Sequence, residues 1–522
     1  MQWINVWLFV LATNAWAALL LGMLGLVLVG LGARSWVRYR RHPERSKDAV
    51  SESGSKRRSP SVIIPLVGML ALISVAAAIR QHPQFFLELF RTDYTDAAKL
   101  DALQNAALAT PEPPLIAGEW PQWRGPRRDG VSTETGLRVD WKEHPPTVLW
   151  KQPLGRGYSS IAVAHGRLYT MDRQGDQERL LCLDAATGET IWSHAYATDF
   201  RRVAAIPGRE QLQACPRATP TVSDGRVYTV GAVGRLLCLE ATPATAEAKV
   251  LWEHDLAAEY NLLAGSSPRF RPWGIACSPL LEDDLVIVQP GGESGSIVAF
   301  DRRTGKVRWQ SLDDESGYSS PIAATAAGIR QIIALTGTRV VGLRPSDGGL
   351  LWSYSFPTKM FANIATPIVA GDYVFVSAGY DMGCALLQLS AGGGGGITAS
   401  PVYFKANKLM RNHHASSILH DGHLYGFDND FLKCVDLRTG ADNWHAGRAV
   451  AKGCLLYADG HLLVQTQDGL LMLVEATPNA FRKKGQMQVL EESGDAWALP
   501  SLADGRLYLR DGTQIVCLDL RK

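Results

Sequence analysis

Residues 183–192 read Leu183-Asp184-Ala185-Ala186-Thr187-Gly188-Glu189-Thr190-Ile191-Trp192, and the spacing inside that stretch decides the fold. An aspartate is followed by Thr-Gly and then by a tryptophan eight positions on. The spacing returns at Asp301, Thr304-Gly305 and Trp309, and again at Asp436, Thr439-Gly440 and Trp444. Arg344, Asp347-Gly348 and Trp352 form a degenerate copy. Upstream of these units lies a second turn that leads into a strand: Asp224-Gly225-Arg226-Val227-Tyr228, Asp421-Gly422-His423-Leu424-Tyr425 and Asp504-Gly505-Arg506-Leu507-Tyr508, with His165-Gly166 before Arg167-Leu168-Tyr169. Asp-Gly and Thr-Gly place glycine where a hairpin needs positive φ. The short alternating runs between the turns, such as Leu181-Cys182-Leu183, suit half-buried strands. Four short strands cannot bury both faces of their own sheet, so such units stack radially.

Eight small or proline-containing anchors mark the innermost strands: Ser160-Ile161, Thr219-Pro220, Ser278-Pro279, Ser320-Pro321, Thr366-Pro367, Ser416-Ser417, Cys454-Leu455 and Leu499-Pro500. The last unit stops at Cys517-Leu518-Asp519 without an outer strand. Val148-Leu149-Trp150, ahead of the first unit, supplies the missing strand and would close the ring, which removes exposed edges. The fold class is therefore all-β: an eight-bladed propeller of four-stranded antiparallel blades over residues 119–522, preceded by two transmembrane helices. Extra residues follow Glu240 and Glu475, and a glycine run at 392–396 replaces a turn in blade 5. No Lys-Ser/Thr follows that run, so it is not a phosphate loop.

The helices are read from residues 1–33 and 59–80. The first stretch carries no charge and the second none up to residue 79; each is long enough to span about 30 Å of hydrocarbon. No basic segment precedes the first stretch, so a cleaved signal peptide fits poorly. Between them, residues 34–58 hold nine Lys/Arg against three acids, which keeps this loop in the cytoplasm. Everything after Arg80 then lies on the periplasmic side of a bacterial inner membrane. Residues 81–118, with a helical stretch near 96–109 and prolines at 111, 113 and 114, read as a periplasmic linker. The charge balance of +2, from 53 basic and 51 acidic residues, leaves no footprint for nucleic acid.

The Asp-x-x-Thr-Gly-x-x-x-Trp repeat resembles the tryptophan-docking motif of pyrroloquinoline-quinone (PQQ) dehydrogenases and of PQQ-like propellers, a group that includes the outer-membrane assembly lipoprotein of the β-barrel machinery. Trp120-Pro121-Gln122-Trp123-Arg124-Gly125-Pro126, Asp129-Gly130-Val131-Ser132, Asn412-His413-His414 and Glu475-Ala476-Thr477-Pro478 are most similar to a branch of PQQ-like repeat proteins common in planctomycetes. The resemblance implies the fold; it does not by itself fix an activity.

Propellers bind at the ends of their channel. Three positions before the second residue of each anchor stand Tyr158, Arg217, Ala276, Tyr318, Ile364, His414, Lys452 and Trp497. Neighbours Trp273, Asn363, Asn412 and His413 join them in a predicted funnel for a ligand or partner. His413 and His414, adjacent on an expected strand, should face opposite ways and so not chelate one metal. Cys182, Cys238, Cys434 and Cys517 fill one repeated strand slot, and Cys215, Cys277, Cys384 and Cys454 are expected near the channel. A periplasmic setting permits disulfides without pairing them.

The resemblance to PQQ dehydrogenases implies a carboxylate base, a Ca²⁺ ion held by carboxylate or amide oxygens, and aromatic stacking on the quinone. Trp273 or Trp497 would stack on it and Arg217 or Lys452 would pair its carboxylates, but the funnel holds no acid; Asp381 and Asp495 are only nearby. The expectation is thus a non-catalytic binding or assembly scaffold without cofactor, gripping a periplasmic protein or extended ligand. The alternative is a PQQ- and Ca²⁺-dependent dehydrogenase of alcohols or sugars.

Overall fold

The computed structural model describes residues 92–104, 106, 108, 118–199, 215–242, 248–262, 273–292, 295–392, 396–447, 452–491 and 495–522, without the side chain of residue 360. The two expected membrane spans lie outside the described residues. No described helix is long and apolar enough to cross a membrane. Residues from Asp93 to Lys522 form one compact unit.

Within that unit stand eight antiparallel sheets, seven of four strands and one of five; in blades 1 to 7 the blade's own four strands follow chain order from the channel outward. Blade 1 runs Ala162–Ala164, Arg167–Gln174, Gln177–Asp184 and Thr190–Ala197. Blades 2 to 7 follow, with innermost strands Thr221–Ser223, Leu280–Glu282, Ile322–Ala326, Ile368–Ala370, Ile418–His420 and Gly453–Ala458. Blade 8 takes Ser501–Ala503, Arg506–Arg510 and Gln514–Asp519 from the C-terminus, and its outer strand is Thr147–Pro153. Val148 faces Leu518 and Trp150 faces Cys517, so the ring closes as the sequence requires.

One contact recurs between blades. The outer-strand tryptophan lies opposite a small third-strand residue: Trp192 on Cys182, Trp252 on Cys238, Trp309 on Ala299, Trp352 on Gly342, Trp444 on Cys434 and Trp150 on Cys517. A register shift beside each re-aims the indole toward the next blade. Its Nε1 donates to the carbonyl of the following blade's turn: Trp150 to Ala185 (3.3 Å), Trp192 to Ala241 (3.2 Å), Trp252 to Arg302 (3.2 Å), Trp309 to Pro345 (2.8 Å) and Trp444 to Thr477 (2.7 Å). The second-strand tyrosine shares that acceptor. Tyr508, Tyr169 and Tyr228 donate to Ala185, Ala241 and Arg302. This is why Asp-Gly-Arg-x-Tyr and Asp-x-x-Thr-Gly-x-x-x-Trp travel together. The turn glycine is needed twice over: Gly188 has φ +74, and a Cβ there would come within 2.6 Å of Trp150.

Three blades depart from this rule. In blade 4, Trp352 bonds Gln331 of its own blade. Blade 5 puts Tyr403 in the slot, and its hydroxyl donates to Leu437 of blade 6 (3.0 Å). Blade 7 has Gly485 there, with Trp141 from the N-terminal segment packed on it.

The anchors also have a job. Backbone N–H groups of Thr219, Ser278, Thr366 and Leu499 donate to the hydroxyls of Ser278, Ser320, Ser416 and Ser160, each in the next blade, at 2.8–2.9 Å. A hydroxyl belt therefore ties the inner ring. Apolar burial is concentrated between blades: Met171, Leu180 and Trp192 of blade 1 pack with Val227, Leu237 and Leu239 of blade 2.

The Trp-Pro-Gln-Trp-Arg-Gly-Pro segment forms an axle in the channel. Trp120 pairs with Val163 of blade 1, Pro121 accepts from Val222 of blade 2, and Arg128 donates to Ser278 and Pro279 of blade 3. Trp123 reaches Thr366 of blade 5, Arg124 reaches Ser417 of blade 6, and Gly130 and Ser132 pair with Tyr457 of blade 7. Glu134 accepts from Asp504 and Gly505 of blade 8.

The end of the expected linker is docked on the propeller. Tyr94–Thr95 adds a fifth strand to blade 5 beside Phe404 and Tyr403, and the expected helix is Ala97–Gln104, with Leu103 fully buried. Arg438 of blade 6 caps it through the Leu103 and Ala106 carbonyls. All eight cysteines are buried free thiols. Cys384 is not beside the channel as expected: it sits on the third strand of blade 5, against Leu103 and Tyr403.

Two outcomes follow. Trp309→Ala and Trp444→Ala should each lose about 3–5 kcal/mol in denaturant titrations, because each empties an interface between blades. The second concerns Glu178, which is fully buried and takes hydrogen bonds from Tyr196 (2.7 Å) and from Ala232 N of blade 2 (3.0 Å). Burial raises its carboxyl to about 7, above the ordinary 4.5. An acid raised in the fold stabilises fully below its unfolded value, and that contribution is lost as pH climbs from 4.5 through 7. Glu178→Gln should therefore flatten the stability profile over this window and melt higher than the parent at pH 8.

Candidate binding site at the channel mouth

All eight inner strands run the same way, so the residues before them gather at one end of the channel. Seven rings form a continuous collar there. Tyr158 stacks on Trp497 (5.2 Å between centroids), Trp497 meets His414 (4.5 Å), His414 meets His413 (4.1 Å), and His413 stacks on Tyr380 (4.7 Å). Tyr380 leads to Trp273 (6.4 Å), which stands edge-on to Tyr318 (5.3 Å). Arg217 joins the two arms: its guanidinium lies 5.2 Å over Tyr158 and donates to the Trp273 carbonyl (3.1 Å). Lys452 donates to His413 Nδ1 at 3.4 Å and stands 3.9 Å from Asp430.

Eight of the ten expected funnel residues thus come together: Tyr158, Arg217, Trp273, Tyr318, His413, His414, Lys452 and Trp497. Asn363 and Asn412 do not present their amides to the mouth. Asn363 is fully buried and donates to Thr336 and Phe356 carbonyls, while Asn412 donates to Phe427 and accepts from Ser377 and Ser417. Both fasten backbone. His413 and His414 do not face opposite ways either. They precede the strand, in a segment where Leu409 and Met410 have φ of 56° and 48°, so pleated alternation does not apply and the rings lie side by side.

Tyr380 and Asp430 were not among the expected residues. Both sit in turns between a second and a third strand, which open at the same end as the inner-strand starts. Counting those turns in the repeat would have found them.

The collar holds two cations, Arg217 and Lys452, with the Asp430 carboxylate beside the second, and neutral histidines. Burial, then the Lys452 ammonium, lowers His413 to about 4. Burial, then His413 and Lys452, holds His414 well below the usual range. Burial raises the Tyr158 phenol to about 12. Trp497 Nε1 and His414 Nδ1 have no hydrogen-bond partner among the described residues.

This donor set does not fit calcium. Asp381 is bound to Lys359 (2.7 Å) and Asp430 stands beside Lys452, so neither turns a free carboxylate on a shared point. Among the described residues no three His, Cys, Asp or Glu side chains converge. Trp273 and Trp497, the rings expected to stack on a quinone, are packed on Tyr318 and Tyr158.

Replacing Lys452 by Met should raise the His413 titration midpoint, seen in histidine proton shifts by NMR. The midpoint should stay below the ordinary 6.5, since burial is the larger cause.

The family model described as outer membrane protein assembly factor BamB matches residues 141–245 and 198–446. The protein of that name from Shewanella oneidensis is 24% identical over 385 residues, covering 70% of this chain and 86% of the relative. Quinohemoprotein alcohol dehydrogenase from Comamonas testosteroni superposes with a TM-score of 0.53 at 16% identity, covering 81% of this chain and 82% of that one. The ADHIIG enzyme of Pseudomonas putida HK5 does so at 0.50 and 14%, covering 82% of each. Likeness at such identities shows a shared fold and no more. The matched stretch spans more than half of the sequence, and the closed eight-blade ring agrees with it: the chain belongs to the family of PQQ-like propellers described as outer membrane protein assembly factor BamB.

Proposed function

We propose that this protein is a non-catalytic binding or assembly scaffold whose channel mouth grips an extended segment of a partner protein. The observation that carries the reading is the collar: seven aromatic rings with Arg217 and Lys452 at one end of a closed ring. Aromatic side chains supply contact area at little entropic cost, and two cations set a preference for acidic segments. The name of the Shewanella relative, an assembly factor, supports a role in holding other proteins. In this reading residues 1–33 and 59–80 anchor the chain in the inner membrane, with the propeller in the periplasm and no cofactor bound.

A photo-crosslinking residue placed at Tyr380 should capture a polypeptide. The combined substitution Tyr318→Ala, His414→Ala and Lys452→Ala should cut that yield at least about tenfold while the protein stays folded, as loss of an interface centre does. Unchanged capture in the triple variant would overturn the reading. Incubation with PQQ and Ca²⁺ should give neither a quinone absorption band nor dye reduction with alcohols or sugars. A band with turnover would replace the scaffold with a quinoprotein dehydrogenase.

A further inference from the structure

A cavity of about 1040 Å³ opens at the other end of the channel, between the axle and the far ends of the inner strands of blades 3 to 7. Arg124, Arg127, Arg128 and Arg330 border it. The carboxylates on its walls are committed elsewhere. Glu282 holds Arg330 through two bonds of 2.6 and 2.8 Å, and Asp129 holds Arg127 at 2.8 Å. Glu134 and Asp459 accept from backbone N–H groups, and Asp421 stands 3.4 Å from His420.

Arg124 and Arg128 are left with neutral oxygens alone. Arg124 donates to the carbonyls of Arg128, Asp129 and Ser417. Arg128 donates to the Gln122 side chain and to the carbonyls of Ser278 and Pro279. They are only 1% and 3% exposed, and Arg124 Nη1 and Arg128 Nε have no acceptor among the described residues. The Asp129 carboxylate, already bound to Arg127, acts on Arg124 only from a distance, and Arg128 makes no ion pair among the described residues and is repelled by Arg124. A buried charge with unsatisfied donors is costly, and a guanidinium does not escape by losing its proton. Burial lowers the two groups only to about 10 and about 9, so both remain cationic at neutral pH.

We propose that this cavity is an anion site in which Arg124 and Arg128 together take a compact anionic group: a free halide or phosphate, or the carboxylate end of a peptide. It is separate from the mouth, so its failure would leave the scaffold reading untouched.

Crystals of the full chain soaked in bromide should show an anomalous peak against both guanidinium groups. Titration with inorganic phosphate, at ionic strength held constant by a bulky sulfonate buffer salt, should raise the melting midpoint saturably, by roughly 2 °C. Arg128→Gln should weaken phosphate binding about tenfold or more. A short peptide with a free C-terminus that competes with phosphate, while its amide does not, would assign the group to a peptide; phosphate binding without such competition would assign it to a free ion. The wild-type crystal decides even if the variant misfolds. No bromide at these two arginines, with no saturable effect of phosphate or peptide, would overturn the proposal.

Discussion

The tryptophan that five of the eight outer strands lend to the next blade is the contact on which the rest of this structure depends. A four-stranded sheet of this size has two apolar faces and cannot hide either by itself. Here the indole fills the gap between sheets, its N–H donates to a turn carbonyl that in three blades it shares with the second-strand tyrosine, and the turn glycine leaves room for the ring. Once that contact is repeated round the ring the last blade needs a partner on both sides. The chain meets the need by returning its N-terminal strand to its C-terminal blade.

Closure creates two unlike channel ends. At one, strand starts and turns bring aromatic rings and two cations into a collar. At the other, the axle ties seven of the eight blades to a single segment, so loosening any of them is resisted by the others. The mouth's rings are already packed on one another, so little side-chain ordering would be left for a ligand's binding to cost. The axle's ties to blades 3 and 6 also bury two arginines, which distinguishes that end chemically from the mouth.

The repeat was legible because its spacing reflects a contact made in five of the eight blades. The ring closure, the slot shared by four cysteines and the gathering of His414, Lys452 and Trp497 all followed from counting along it; that the slot faces tryptophan shows only in the strand registers. What escaped were places where one blade departs from the rule or where a segment outside the repeat intrudes. Trp141 filling the slot left by Gly485 is a tertiary substitution that no local pattern announces. Asn363 and Asn412 look like funnel residues by position, yet their amides are spent on the backbone carbonyls of Thr336, Phe356 and Phe427. Trp120 to Ser132 read as a family mark, and its role as an axle depends on reaching blades hundreds of residues away.

A disulfide between the two chain ends of the propeller tests the account most directly. Thr147 lies opposite Asp519 across the closing pair of strands. With cysteines at both positions, mild oxidation should link them in nearly every molecule, shift the chain's mobility on a denaturing gel and raise its unfolding midpoint, since the loop so closed is very long. A pair that stays reduced, or links only after unfolding, would contradict a ring closed by its own first strand.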